Sequence, residues 1–272
     1  MSEPDRWTGG DDYEAYVGRW SRPVGRAFIA WLDVRPGAAW LDVGCGTGAL
    51  TATILATADP ERVVAIDPST EFVDHARRAN RDARAAFAVG SAAEVPLADA
   101  AMDVAVSGLV LNFVPDLAAG LAELRRVVIP GGTVAGYVWD YAERMELIRR
   151  FWDVAVELDP AAVALDEAVR FPICAPDPLR AAFVGAGLRE VAVEPIEVPT
   201  VFRDFEELWR PFRSGVGPAP GYAMQLGEAR RAALEARFRE TLPAEPDGSI
   251  RLVARAWAVR GVSDGPPPAV PR

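Results

Sequence analysis

The sequence of 272 residues predicts an α/β fold built on a doubly wound parallel sheet, and three observations predict it. From residue 39 onward, short apolar runs alternate with stretches of helical periodicity, the pattern of repeated strand–helix units. One of these runs, Leu41-Asp42-Val43, enters a glycine-rich turn, Gly44-Cys45-Gly46-Thr47-Gly48. A second run, Arg62-Val63-Val64-Ala65-Ile66, ends on the carboxylate of Asp67, 19 residues after Gly48. A strand, a tight glycine turn, a helix and a strand tipped with an acid make one nucleoside-binding half of such a sheet. Glycine lets the chain turn sharply there and lets a ligand approach where a Cβ would collide.

Each element follows in order. Residues 1–37 read as an N-terminal helical arm, with Val24, Phe28, Trp31 and Leu32 at helical spacing and Arg35-Pro36-Gly37 closing it. Strands are expected near 39–43, 62–67, 85–89, 103–108 and 132–139. Helices are expected near 47–58, 70–80 and 117–128, with a single helical turn at 92–94. Residues 38–140 thus form the nucleoside-binding core. Beyond it, 141–170 reads as helical on Leu147, Ile148, Phe151, Val154, Val156 and Leu158, until Pro172, Pro176 and Pro178 break the chain. A helix at Leu179–Ala186, closed by Gly187, precedes strands at Leu188–Val198 and Ile250–Arg260. The long interval between those strands carries Phe202, Phe205, Trp209, Phe212 and Tyr222. Residues 141–172 and 199–248 are therefore expected to be two insertions forming a mostly α-helical cap over the mouth of the sheet. Residues 173–198 and 249–260 complete the core, and 261–272, with Pro266-Pro267-Pro268, reads as a disordered tail.

Composition narrows the partners. The net charge is −10, from 29 basic and 39 acidic residues, and no clustered basic run offers a phosphate-tracking surface, so nucleic acid is not expected. No apolar run reaches the roughly 18 residues of a membrane span, and the start Met1-Ser2-Glu3-Pro4-Asp5 is acidic and polar, so no membrane association is expected and the default is cytoplasmic. The two cysteines, Cys45 and Cys174, have neither framework nor metal spacing, and no metal is expected.

The turn also discriminates between nucleosides. It reads G-x-G-x-G, with Ala49 and Leu50 where a dinucleotide fingerprint would continue to its last glycine. Asp42 places a carboxylate just before it, which suits a ligand carrying an ammonium or sulfonium and not a pyrophosphate. A nicotinamide-dependent reductase is disfavoured on both grounds.

With these residues, the chain resembles the class I S-adenosylmethionine-dependent methyltransferases, in the branch of ubiquinone/menaquinone-type small-molecule enzymes. The resemblance rests on Leu41 through Gly48, Ile66-Asp67-Pro68-Ser69, Gly90-Ser91-Ala92-Ala93-Glu94-Val95-Pro96-Leu97, Met102-Asp103-Val104, and Leu124 through Thr133. It is strong over residues 38–140 and general beyond. It implies a Rossmann-like, seven-stranded sheet whose last strand is antiparallel, and S-adenosylmethionine as cofactor.

It also implies roles residue by residue. Gly44, Cys45, Gly46 and Gly48 would lie against the methionine part of the cofactor, with Asp42 orienting its amino end. Asp67 would hold the ribose hydroxyls, and Pro68 and Ser69 would shape the adenosine slot. Ser91 stands where many relatives carry an adenine-binding Asp, leaving more of that task to Ala92 and Ala93, and Ser91 to Glu94 also fits a capping box. After the fourth strand, Gly108 would permit close approach while Leu109 and Phe113 form an apolar floor. Tyr16, Arg19 and Trp20 of the N-terminal arm would close the methionine side. His75, the one histidine, reads as a surface residue, so no histidine base is expected. Asp140 is the best-placed carboxylate for that role. Trp139, Tyr141, Trp152, Trp209, Phe212 and Tyr222 are expected either to line the pocket of a flat or hydrophobic acceptor or to form the core of the cap. The expected activity is methyl transfer to O, N or C of a small molecule by a monomer or homodimer; the alternative is a cofactor-binding protein that transfers no methyl group.

Overall fold

The computed structural model describes residues 18–265. In chain order its elements are α1 (Arg19–Leu32), β1 (Ala39–Val43), α2 (Ala49–Thr57), β2 (Arg62–Asp67), α3 (Thr70–Ala79), β3 (Ala85–Val89), β4 (Met102–Gly108), α4 (Leu117–Val127) and β5 (Val128–Trp139). There follow α5 (Glu146–Leu158), α6 (Glu167–Arg170), α7 (Pro176–Gly185), β6 (Arg189–Phe202), α8 (Phe205–Trp209), α9 (Pro218–Gln225), α10 (Glu228–Thr241) and β7 (Ile250–Val262).

The strands form one seven-stranded sheet in the order β3-β2-β1-β4-β5-β7-β6. Strands β1 to β5 pair with one another in parallel. β7 runs antiparallel to β5: the Gly131 N–H donates to the Ser263 carbonyl at 2.8 Å, and the Ser263 N–H to the Gly132 carbonyl at 2.9 Å. The order reverses between β1 and β4, the switch point at which open α/β sheets bind ligands beyond their strand C-termini. β1 is buried along its whole length, as a central parallel strand covered on both faces should be. Its register sets Asp42 beside Ala65 of β2 and Val106 of β4.

The chain divides into two compact units. One comprises 22–138, 173–196 and the described residues 256–265; the other comprises 139–172, 197–255 and the described residues 18–21. The first holds the parallel strands and α2, α3, α4 and α7. The second is organised by aromatic packing. Phe151 of α5 stacks on Phe212 at a centroid separation of 4.8 Å and meets Trp152, Trp209, Tyr222 and Phe238 within 6.5 Å. Offset and edge contacts of this kind each add roughly 0.5–1.5 kcal/mol beyond the area they bury.

Four details depart from the sequence reading. The segment 92–94 is a turn closed by a Ser91–Glu94 bridge and not a helical turn; the Ser91 hydroxyl accepts from the Ala93 N–H, so no capping box forms. β5 begins at Val128, because Gly131 (φ +81°) and Gly132 allow a register shift against β4. A Cβ on Gly132 would stand 2.5 Å from the Asp103 carbonyl. The helical stretch from 141 breaks at Asp159, whose carboxylate caps Ala161 ahead of Pro160, and again at Asp166, which caps Ala168. The tail is a strand as far as Val262. Ser263 stays hydrogen-bonded to β5 and Asp264 pairs with Arg189, so 261–265 are fixed, and 266–272 lie outside the described residues.

Candidate active site

The first unit gathers Asp42, the glycine turn, Asp67 and the segment beyond β4. The turn is held from below by one carbonyl: the N–H groups of Gly44 and Cys45 both donate to the Ile66 oxygen, at 2.8 and 3.0 Å. It is held at its crest by Asp67. One carboxylate oxygen of Asp67 accepts from the Gly46 N–H and the other from the Ser69 N–H, each at 2.9 Å. Ser69 in turn caps α3 through the Phe72 N–H. Asp67 therefore already serves as the brace of the turn, and each of its oxygens keeps a second lone pair.

The three glycines all have positive φ, yet they do different things. A Cβ on Gly44 would lie 2.5 Å from Cγ1 of Val110, and one on Gly48 would lie 3.2 Å from Ala76. Their missing side chains make room for protein. A Cβ on Gly46 would meet nothing within 4 Å. The face that a ligand can approach is at Gly46.

Asp42 is fully buried. Its Oδ2 accepts the Thr51 hydroxyl at 2.6 Å, while Oδ1 has no hydrogen-bond partner among the described residues. Loss of hydration, reinforced by the nearby Asp67 charge and opposed by Thr51, raises this carboxyl to about 7. A buried acceptor left unpaired costs roughly 1–3 kcal/mol, and a cationic donor from a ligand would remove that cost. Cys45 turns the other way, into a core with Ala65, Val73, Ala76 and Phe87, and burial beside the two aspartates pushes its thiol upward. It is not poised as a nucleophile.

The remaining predicted residues fall into distinct settings. The exposed Ser91 and Ala93 and the half-buried Ala92 follow Gly90, whose N–H donates to the Asp67 carbonyl at 3.1 Å, so that turn is tied to the β2 tip. Gly108 is small for a reason the sequence did not disclose: its absent Cβ would stand 2.7 Å from the hydroxyl of Tyr137. Leu109 has φ +61°, a conformation costing a leucine about 1–3 kcal/mol, and its N–H donates to the Tyr137 carbonyl at 2.8 Å. Phe113 is 37% exposed in a short 3-10 turn. His75 lies exposed on α3.

In the second unit, Arg19 pairs with Glu207 at 2.9 Å and lies over the rings of Trp20 and Phe202, so its charge is engaged there. Tyr16 lies outside the described residues. Asp140, the candidate base, is held in a hydrogen-bonded network. Its Oδ2 accepts from Arg255 at 2.6 Å and from the Arg144 N–H, and its Oδ1 from the Glu143 N–H. A buried carboxylate so bound is a loop staple. Trp152, Trp209 and Phe212 are almost wholly buried in the aromatic core, and Trp139 and Tyr141 are buried too. The half-buried Tyr222 lines a cavity of about 410 Å³, shared with Leu158, Asp159, Leu226 and Arg230. Reading the sequence missed Val110, Tyr137, Thr51 and Glu167. The last is buried, accepts the Trp152 indole N–H, and is raised by that burial to about 8. Among the described residues no cluster could hold a metal ion.

The stretch that carries this arrangement is similar to known proteins. Residues 41–136 match the family described as methyltransferase domain. A malonyl-[acyl-carrier protein] O-methyltransferase of Serratia marcescens is 40% identical over 113 residues, 42% of this chain and 43% of that one. A demethylmenaquinone methyltransferase of Beutenbergia cavernae is 37% identical over 107 residues, 39% of this chain and 43% of that one. The chain thus spans less than half the length of these curated relatives. The phosphoethanolamine N-methyltransferase 2 of Haemonchus contortus, solved with S-adenosyl-L-methionine, superposes with a TM-score of 0.57 at 15% identity, covering 93% of this chain and 57% of that one. That likeness shows the fold.

Proposed function

We propose, from the premise that this chain carries a class I S-adenosylmethionine-dependent methyltransferase domain, that it transfers a methyl group to O, N or C of a small, flat or hydrophobic organic molecule. The observation that carries this reading is the unpaired oxygen of Asp42, buried beside a glycine turn open at Gly46. A buried carboxylate with a free lone pair is a receptor for an ammonium group, and S-adenosylmethionine carries one at its methionine end. Asp67, with a spare lone pair on each oxygen, suits two ribose hydroxyls. The segment Ser91–Ala93 stands one strand further on, where the base would lie.

The cofactor, when bound, supplies an activated methyl carbon for an in-line displacement. The chain's own task is then to hold, orient and exclude water. Asp42 fixes the amino end, Asp67 the sugar, and Gly46 keeps the approach free of side-chain atoms. Because His75 is exposed and Asp140 is committed to Arg255, an acceptor that is already acidic, such as a phenol or carboxylate, fits these residues best. The name of the Serratia marcescens relative, an O-methyltransferase, supports oxygen as the first atom to try.

The same proposal excludes nucleic acid as acceptor, supported by the acidic balance, and keeps a monomer or homodimer. It keeps the cytoplasm as the enzyme's location. No helix among the described residues is long and apolar enough to cross a membrane. Calorimetric titration with S-adenosylmethionine and with NAD is the first test, and saturable binding of the former alone is expected. Incubation with panels of phenols and carboxylic acids should then release S-adenosylhomocysteine and add 14 Da to one acceptor, a shift known from the mass of a transferred CH₂ unit. Binding without release from any acceptor would favour the protein that transfers no methyl group.

A further inference from the structure

The segment beyond β4 is fastened at three points, each a side chain seated on a glycine. The Tyr137 hydroxyl occupies the space over Gly108, and Leu111 that over Gly136, where a Cβ would stand 2.7 Å from Leu111 Cδ1. Val110 occupies the space over Gly44, both its methyl carbons lying within 2.7 Å of where a Cβ would be. Leu109 delivers Val110 there by taking a left-handed conformation, held by its hydrogen bond to the Tyr137 carbonyl. The Ser107 hydroxyl donates to the carbonyl of Val43, the residue just before Gly44, at 3.0 Å.

Glycine itself has little preference between positive and negative φ. Nothing in the chemistry of Gly44 therefore holds it at +74°. The Ile66 carbonyl fixes the turn on one side, and the Val110 isopropyl group closes the other. We propose that Val110 is a positioning residue of the donor site: it wedges Gly44 into its left-handed state and so sets the crest of the turn, with the Gly46 N–H on Asp67 and the ligand face open. The proposal rests on the donor-site reading above for its ligand, but its geometry does not depend on which ligand binds. The first glycine of the turn is then a socket for Val110, and the middle one alone serves the ligand.

The test compares the full chain with V110A, V110T and V110L, reading the Kd for S-adenosylmethionine and, without ligand, hydrogen exchange over residues 43–50. Val110→Ala removes the wedge and should weaken binding at least tenfold and speed exchange at the Gly46 amide. Val110→Thr keeps the branched shape and should stay within threefold of wild type in both. Val110→Leu moves its branch one carbon outward, cannot seat two carbons over Gly44, and should behave like the alanine variant, so it answers the question if V110A does not fold. Wild-type affinity and exchange in V110A, or in V110L, would overturn the proposal, as would a V110T as impaired as V110A. If wild type binds no S-adenosylmethionine, the donor reading fails, while the exchange comparison still decides whether Val110 sets the turn.

Discussion

Asp42 in the parallel sheet and Asp140 after β5 are both buried aspartates at strand tips, and they are built in opposite ways. Asp140 has both oxygens engaged, Oδ2 by Arg255 and the Arg144 N–H and Oδ1 by the Glu143 N–H. Asp42 has one oxygen on Thr51 and the other on nothing described. From sequence the two were given different tasks, Asp42 orienting the amino end of the cofactor and Asp140 serving as the best-placed base. The difference teaches that a satisfied carboxylate, however well placed, holds structure, whereas an unsatisfied one states what is absent: a cationic donor.

The sharpest way to break this contrast is to remove Asp140. Asp140→Ala removes the acceptor shared by Arg255 and the Glu143 and Arg144 N–H groups, leaving Arg255 to Glu143 and Glu197, and should cost about 1–3 kcal/mol of stability, measured by urea denaturation. Donor affinity of the protein that folds should be unchanged; a loss of affinity without a loss of stability would reverse the roles assigned here. Asp67→Ala comes next. It takes an acceptor from the ribose and from the Gly46 and Ser69 N–H groups together, and should weaken S-adenosylmethionine more than tenfold, about 1.4 kcal/mol or more. Unchanged calorimetry would refute the assignment.

The parallel strands and the glycine turn were legible because a central parallel strand cannot hide its pattern: apart from Asp42 in β1 and the end residues Arg62 and Asp67 of β2, both are apolar, and both end in punctuation. The roles of the individual glycines were not legible. Gly44, Gly46 and Gly48 look alike in the sequence, and only packing shows that Val110 and Ala76 fill the space over two of them. Val110 itself was invisible for the same reason, one more apolar residue in the run Leu109-Val110-Leu111. In the second unit the aromatics signalled burial, but the sequence carries no sign of whether a buried ring faces a pocket or another ring. There the partners, Phe151 against Phe212 and Trp152 against Glu167, come from separate elements.

A gentler probe of the contrast is pH. Asp42 is raised to about 7, so its neutral form dominates below that value, and a cationic ligand binds the ionised form. Affinity for S-adenosylmethionine should rise from pH 6 to pH 8 by about tenfold and then level, since each unit below the pKa costs a factor of ten. Asp42→Asn should bind weakly with no such slope. The sign for stability is opposite. A carboxyl whose folded value lies above its unfolded one contributes most below the unfolded value near 4, and that contribution falls as pH rises toward 7 for Asp42 and toward 8 for Glu167. The smallest effect follows. Glu167→Gln keeps an acceptor for the Trp152 N–H, so at pH 5 stability should change by less than about 1 kcal/mol. The loss of stability between pH 5 and 8 should shrink. An unaltered slope would mean that Glu167 is not the group responsible.

The seat of Val110 has one more consequence, for the order in which the molecule is made. Leu109 needs the carbonyl of Tyr137, and Leu111 needs the bare face of Gly136, before Val110 can press on Gly44. The cofactor turn is finished in sequence by residue 48, yet its shape waits on residues nearly ninety positions later. A nascent chain leaving the ribosome with only its first four strands therefore carries the whole motif and no working site, and becomes competent when the fifth strand docks.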